Sequence, residues 1–320
     1  MIVNTDKAVS TLIVNAVKDR KIVCAFHDID GTHSLIRNWP PVMSRVLYDT
    51  AYNGIPEDLT SEENINRLVS LCGTEPLEET DRFCVESAGL SALTQMEWAI
   101  RRHEELSSGK FDSQTNSQII KRIWAGEEKF ENIPEPQEYL DYLGEVTPKL
   151  FWVYEQVLNR YCRDKNLSLA RKNPNDFLMP DSMRFMKYLH DNGVKNYFVT
   201  GAVVDKSQTP PMGMYEEVLA LGFPIGEGML VEDILGSTWD EKIPKDEVMF
   251  RLVKELGISG ENVLVLGDGR SEISAGVKLG AVTMTVQPEN AHRQRELHTE
   301  LGTNMIVADY TSEDIYEVFK

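Results

Sequence analysis

Two aspartates stand two positions apart in Asp28-Ile29-Asp30-Gly31-Thr32, and a second acidic pair sits in Gly267-Asp268-Gly269-Arg270-Ser271-Glu272. Between them along the chain lie Thr200-Gly201 and two neighbouring lysines, Lys242 and Lys245. The chemistry open to this set is that of oxygen donors. Four carboxylates gathered in one place repel one another strongly unless a cation lies between them. A few carboxylates completed by water and a substrate phosphate form the ligand set that suits Mg²⁺. Taken singly, Asp-x-Asp and Gly-Asp-Gly are also ordinary turn sequences. What raises them above that reading is where they fall: each ends a predicted strand.

The elements that must position these residues are legible as apolar runs. Ile22-Val23-Cys24-Ala25-Phe26 is apolar at every position, as a central parallel strand covered on both faces requires, and it runs into His27 and Asp28. Lys195 to Val199 reads as a strand ending at Thr200-Gly201, and Val263 to Leu266 as one ending at Gly267-Asp268-Gly269. Val282 to Val286 and Met305 to Val307 are two more. Pro180 to His190 and Asp246 to Leu256 read as helices, and Val9, Leu12, Ile13, Ala16 and Val17 recur at the spacing of an amphipathic N-terminal helix. Strand–helix alternation predicts an α/β fold with a parallel sheet and helices on both faces, in which ligands bind at the carboxyl ends of strands. From about Leu35 to Pro174 the pattern is helical instead, with faces such as Leu93, Met96, Ile100 and Leu150, Val153, Tyr154, Val157, Leu158. The predicted organisation is a core of residues 1–36 and 175–320, interrupted by an all-helical insertion over 37–174.

Composition narrows the partners. The 320 residues carry 33 Lys and Arg against 51 Asp and Glu, a net charge of −18, which argues against nucleic acid. No apolar run reaches the length of a membrane span, and Met1 to Lys7 lacks the pattern of a signal peptide, so no membrane association and a cytoplasmic location are expected. Cys24, Cys72, Cys84 and Cys162 show no CxxC spacing and read as reduced, buried thiols. The six histidines form no zinc pattern, and the oligomeric state is left open.

The strand-end residues resemble the four motifs of the haloacid dehalogenase superfamily: Asp28-Ile29-Asp30-Gly31-Thr32, Thr200-Gly201, a lysine, and Gly267 to Glu272. The stretch Glu272 to Ala281 is also similar to the helix after the fourth motif in the phosphoglycolate phosphatase and phosphomutase-like branch. The resemblance covers the core, and the helical insertion stands where that family carries a helical cap. It implies a Rossmann-like core in which Asp28 is the nucleophile, forming an aspartyl-phosphate, and Asp30 the general acid and base. Thr200 and the Gly201 amide would hold phosphoryl oxygens. Mg²⁺ would be held by Asp28, the Asp30 carbonyl and Asp268, with Glu272 nearby or through water. For the lysine, Lys245 opens a predicted helix at a family-like distance from Asp268, whereas Lys242 resembles members with a proline just beyond; Lys245 is preferred. Glu272 departs from the Asp of many members, which leaves the detail of coordination open. His27, whose side chain alternates away from that of Asp28, reads as a packing or hydrogen-bonding residue, and Arg101-Arg102-His103 as a surface face.

Within the superfamily, a dehalogenase needs neither metal nor Asp30, and a phosphonatase needs a lysine early in its cap, whereas no lysine lies between Thr32 and Lys110. The resemblance therefore implies a Mg²⁺-dependent phosphatase acting on a small phosphorylated metabolite. The alternatives are a phosphomutase on a sugar phosphate and a non-catalytic protein that binds phosphorylated ligands. A sugar phosphate, phosphoglycolate and a nucleoside monophosphate all remain open as substrates.

Overall fold

Apolar side chains alternate between two buried layers along the central strands, and this alternation builds the sheet. The structure, a computed structural model, describes residues 1–5, 13–34, 38–107, 113–130, 132–207, 212–238 and 243–320. A short antiparallel pair, β1 (Ile2–Val3) and β2 (Arg20–Lys21), precedes the main sheet. The main sheet comprises β3 (Cys24–His27), β4 (Lys195–Asp205), β5 (Met212–Gly213), β6 (Asp233–Ser237), β7 (Val263–Gly267), β8 (Val282–Val286) and β9 (Met305–Val307). Its parallel strands lie in the order β6-β4-β3-β7-β8-β9, with β5 antiparallel on the far end of β4.

This order has a consequence for function. From β3 the chain builds outward through β4 to β6, then returns to place β7 on the other side of β3. The strand order therefore reverses between β3 and β7, and a crevice opens at their carboxyl ends, where open α/β sheets take their ligands. Both strands are buried at every position, and the two faces divide cleanly. Ala25, Leu264 and Leu266 pack with Phe185, Leu189 and Val318, whereas Cys24, Phe26, Val263 and Val265 pack with Val248, Met249, Leu252 and Ala275.

The chain divides into two compact units, Met1–Ile36 with Leu169–Lys320, and Arg37–Ser168. Among the described residues the second unit contains helices and no strand. These are α1 (Pro40–Asn53), α2 (Glu62–Leu71), α3 (Glu78–Glu86), α4 (Ala92–Leu106), α5 (Ser113–Trp124) and α6 (Gln137–Leu158), followed by a π-helical turn over Asn159–Arg163. The next helix, α7 (Asp164–Ala170), carries the chain back into the first unit. There, α8 (Ser182–Asp191) and α13 (Glu313–Val318) cover the Ala25 face, and α10 (Lys245–Glu255) and α11 (Arg270–Leu279) cover the Phe26 face. The first unit also holds α9 (Met214–Ala220) and α12 (His292–Leu301).

Three expectations change, and one parallel strand, β6, is added to those expected. Ile13 to Lys18 is not helical: Ile13 bridges Met305, and the Val14 and Asn15 amides donate to the Asn304 carbonyl at 2.9 and 3.1 Å. Backbone pairing of Ile13 to Asn15 with Asn304 and Met305, and of Val17 with Thr5, takes the place of helical hydrogen bonds; Val9 and Leu12 lie outside the described residues. β4 does not stop at Thr200 but continues to Asp205, with its register against β6 shifted between Val199 and Val203. β6 itself, Asp-Ile-Leu-Gly-Ser, has too few apolar residues to announce a strand and is held by its pairing with β4. Arg101, read as part of a surface face, is instead 1% exposed. Its guanidinium lies between Glu135 (2.5 and 3.0 Å), Glu97 (2.8 Å) and Asn116 (3.1 Å), tying α4 to α5 and to the start of α6.

Candidate active site

Asp28 follows β3 directly, and its amide extends the ladder by donating to the Leu266 carbonyl at 2.9 Å. The chain then closes a tight turn, with the Thr32, His33 and Ser34 amides all directed at the Ile29 carbonyl at 3.3, 2.8 and 2.9 Å. Gly31 makes this turn possible twice over. Its φ of +74° is one that side-chain-bearing residues avoid, and a Cβ there would stand 2.2 Å from Asp268 Oδ2. That close approach brings the turn after β3 against the loop after β7.

Lys245 enters from the first turn of α10. Its side chain is 2% exposed, and its Nζ donates to Asp28 Oδ1 at 2.7 Å and to Glu272 Oε2 at 3.0 Å. Lys242 lies outside the described residues. Glu272, on the first turn of α11 and fully buried, also accepts from the Gly269 amide at 2.6 Å and the Ser271 hydroxyl at 2.9 Å. Asp28, Asp268 and Glu272 each offer a carboxylate oxygen, and these oxygens lie within 4.8 Å of one another. The Asp30 side chain is not part of this trio. It accepts from Ser34 Oγ at 3.0 Å on the other side of the turn.

Thr200 is buried two residues beyond Phe198, the β4 residue that pairs with His27, so it reaches the same edge of the sheet as Asp28. Its Oγ1 accepts from the Ala202 amide at 3.1 Å across the buried Gly201.

The electrostatics follow from crowding anions out of water. Burial raises the Asp28 pKa to about 6, Lys245 pulling against it and Glu272 adding to it. Burial, then Asp28 and Glu272, hold Asp268 well above the usual carboxylate range. Asp30 is likewise raised well above it, by burial, then Glu217 and Asp28. Glu272 goes the other way: burial works to raise it, but Lys245 and hydrogen bonds to its carboxylate keep it below its ordinary value. The Lys245 ammonium is held firmly charged by Asp28 and Glu272 despite its burial.

Several supporting residues carry no motif. Gln287, the first residue past β8, donates through Nε2 to the Asp268 carbonyl at 2.6 Å. A polar residue directly after an apolar strand was the one signal available for it. Ser34 and Tyr310, whose hydroxyl donates to the Thr32 carbonyl at 3.1 Å, had none, whereas Ser271 lies inside the Gly267 to Glu272 motif.

The hard oxygen donors of Asp28, Asp268 and Glu272, with the buried Lys245 ammonium paired to two of them, fit a divalent metal ion. No family model and no curated protein matches the chain. Solved structures do resemble it. They include a predicted phosphoglycolate phosphatase from Haemophilus somnus, 14% identical over 93% of this chain and 98% of that one, at a TM-score of 0.49. A predicted phosphatase from Clostridium acetobutylicum is 15% identical over 90% and 94%, at 0.47. A β-phosphoglucomutase from Clostridium difficile is 12% identical over 93% and 96%, at 0.45.

Proposed function

We propose that the protein is a Mg²⁺-dependent phosphatase of the haloacid dehalogenase type, which hydrolyses a small phosphorylated metabolite through an aspartyl-phosphate on Asp28. The observation that carries this reading is the buried contact of Lys245 Nζ with both Asp28 and Glu272, beside Asp268. An ordinary buried ion pair has one partner for each charge. Here one ammonium serves two carboxylates with a third alongside, an arrangement suited to a dianionic phosphate and a metal ion arriving together.

Asp28, Asp268 and Glu272, with the Asp30 carbonyl, would hold the Mg²⁺. When bound, the ion supplies positive charge that lets a carboxylate approach a phosphoryl group. The remaining work falls to the chain. An Asp28 carboxylate oxygen attacks phosphorus in line with the ester oxygen, and the P–O bond to the leaving group breaks. Asp30, whose raised pKa favours the protonated acid, gives its proton to the leaving oxygen. It then takes a proton from the water that attacks the aspartyl-phosphate, which releases inorganic phosphate and restores Asp28. Lys245 keeps Asp28 ionised and oriented, and Thr200 and the Gly201 amide bind the phosphoryl oxygens.

The test is phosphate release from a panel of phosphorylated metabolites and p-nitrophenyl phosphate, with Mg²⁺ and with EDTA, for the wild type and Asp28→Asn. Turnover that needs Mg²⁺ and falls by at least about a thousandfold in Asp28→Asn supports the mechanism. Wild-type-like activity in Asp28→Asn removes Asp28 from it. Conversion of a sugar phosphate to its isomer without free phosphate would redirect the reading to a mutase.

A further inference from the structure

A buried polar cluster behind the site takes no part in the mechanism. On the face of β3 away from Asp28, His27 and His33 are both 0% exposed, with ring centroids 4.8 Å apart. Their hydrogen bonds form a chain whose direction can be worked out from one end. Asn196 spends both hydrogens of its amide nitrogen on the carbonyls of Met186 (3.1 Å) and Leu230 (3.0 Å). Its Oδ1 must therefore accept, and His27 Nε2, 3.0 Å away, must donate. Both rings are fully buried, and their hydrogen-bond partners are each other, Asn196, Ser182 and Tyr310, with no carboxylate among them to balance a charge, so both imidazoles are neutral. A neutral ring has one N–H, so His27 Nδ1 accepts from His33 Nε2 at 2.8 Å. By the same rule His33 Nδ1 accepts from the Ser182 hydroxyl at 2.7 Å. Every donor in the chain has an acceptor, and only one arrangement of protons satisfies all of them.

The relay ends on the turn that carries the chemistry. His33 belongs to the Ile29–Ser34 turn, its amide closing on the Ile29 carbonyl. Tyr310 stacks on its ring, with centroids 5.1 Å apart and planes 4° from parallel, and donates its hydroxyl to the Thr32 carbonyl at 3.1 Å. The turn is thus pinned from behind to β4 through Asn196, to α8 through Ser182 and to the C-terminal segment through Tyr310.

We infer that His33 and Tyr310 are positioning residues, which use the Asn196–His27–His33–Ser182 relay to hold the Asp28–Thr32 turn in its reactive geometry. An apolar pair would fill the same space but leave the turn free to slide, because packing lacks the direction that hydrogen bonds impose. The inference rests on the phosphatase reading for its kinetic consequence, though not for the relay itself.

The test compares the full-length protein with His33→Phe, His33→Gln and Tyr310→Phe, using p-nitrophenyl phosphate and Mg²⁺. His33→Phe is expected to lower kcat about tenfold or more with KM changed by less than about threefold, because misplacement of reacting groups costs rate before binding. His33→Gln, whose amide can still donate to His27 Nδ1, should recover to within about threefold of the wild type. Tyr310→Phe should lower kcat several-fold. In parallel, hydrogen exchange at the His33-position and Ser34 amides should quicken about tenfold in His33→Phe, while the Leu264 and Val265 amides stay protected. An active wild type with kcat of His33→Phe within twofold overturns the positioning role, as does unchanged exchange in the turn. A wild type without turnover would count against the phosphatase reading alone, and exchange would then decide the relay. If His33→Phe does not fold, Tyr310→Phe, which keeps the stack and loses one hydroxyl, carries both measurements.

Discussion

The Lys245 ammonium brings one positive charge to a place where Asp28, Asp268 and Glu272 bring up to three negative ones. Burial first, and then that crowding of negative charge, raises the pKa values of Asp28 and Asp268, and a divalent cation would offset the crowding. Mg²⁺ is therefore expected to raise the Tm of the wild type, with about 2.7 kcal/mol of stabilisation available at a hundred times its Kd. Asp268→Asn should lose most of that rise in a thermal-shift titration, and an undiminished rise would show that Asp268 does not hold the ion. A second residue allows a test with protons. His298 is 1% exposed, its Nδ1 2.8 Å from Thr285 Oγ1, and burial lowers its pKa from 6.5 to about 4. A depressed histidine contributes its full stability above pH 6.5. As pH falls from there towards 4, the unfolded chain takes up a proton that the folded chain refuses, and stability drops by at most about 1.4 kcal/mol per pH unit. Urea unfolding at pH 7 and pH 5 should show a smaller acid loss in His298→Gln than in the wild type. Equal losses would mean that His298 titrates alike in both states.

Elements reach the site because of where their ends fall. β3 and β7 are adjacent and parallel, so Asp28 and the Gly267-Asp268-Gly269 turn emerge side by side although hundreds of residues separate them. α10 and α11 then each present a first-turn side chain, Lys245 and Glu272, to the same place. The resemblance of short motifs marked these residues; the strand order is what makes them neighbours. In the helical unit the comparable device is Arg101, whose ion pairs join α4 to the start of α6 in a setting nearly closed to water. Removing one member of such a network strands the others, so Arg101→Met should cost about 3–5 kcal/mol in chemical denaturation. A cost below about 1 kcal/mol would place it among exposed pairs, as its sequence neighbourhood of Arg102 and His103 suggested.

For the molecule as a whole, a net charge of −18 sets a background of self-repulsion. Raising ionic strength from about 0.01 to 0.15 M shortens the screening length from about 30 to 8 Å. The Tm should rise with KCl over that range, measured without divalent ions. A flat or falling Tm would mean that attractive pairs such as Arg67–Asp49 and Arg160–Glu62 outweigh the repulsion. No described helix is long and apolar enough to cross a membrane, and Cys24, Cys72, Cys84 and Cys162 are buried thiols outside any disulfide, with burial pushing Cys24 up to about 11 and Cys72 to about 12.

The sequence by itself determined the α/β class, the central strands and the acidic residues at their ends. A run such as Ile22 to Phe26, apolar at every position, suits burial on both faces, and the acidic residue just past it, Asp28, falls at the strand end where open sheets take their ligands. Periodicity also marked α4 and α6, because a helix carries its own hydrogen bonds and needs only a face to bury. Only the tertiary structure decided the rest. The strand over Asp233–Ser237, the continuation of β4 past Thr200 and the irregular path of Ile13 to Lys18 all depend on a partner backbone from a distant part of the chain. The same holds for Gln287 at Asp268, Tyr310 at Thr32 and the histidine relay. Each is a hydrogen bond across the fold, and a hydrogen bond between distant residues leaves no period in the sequence to be read.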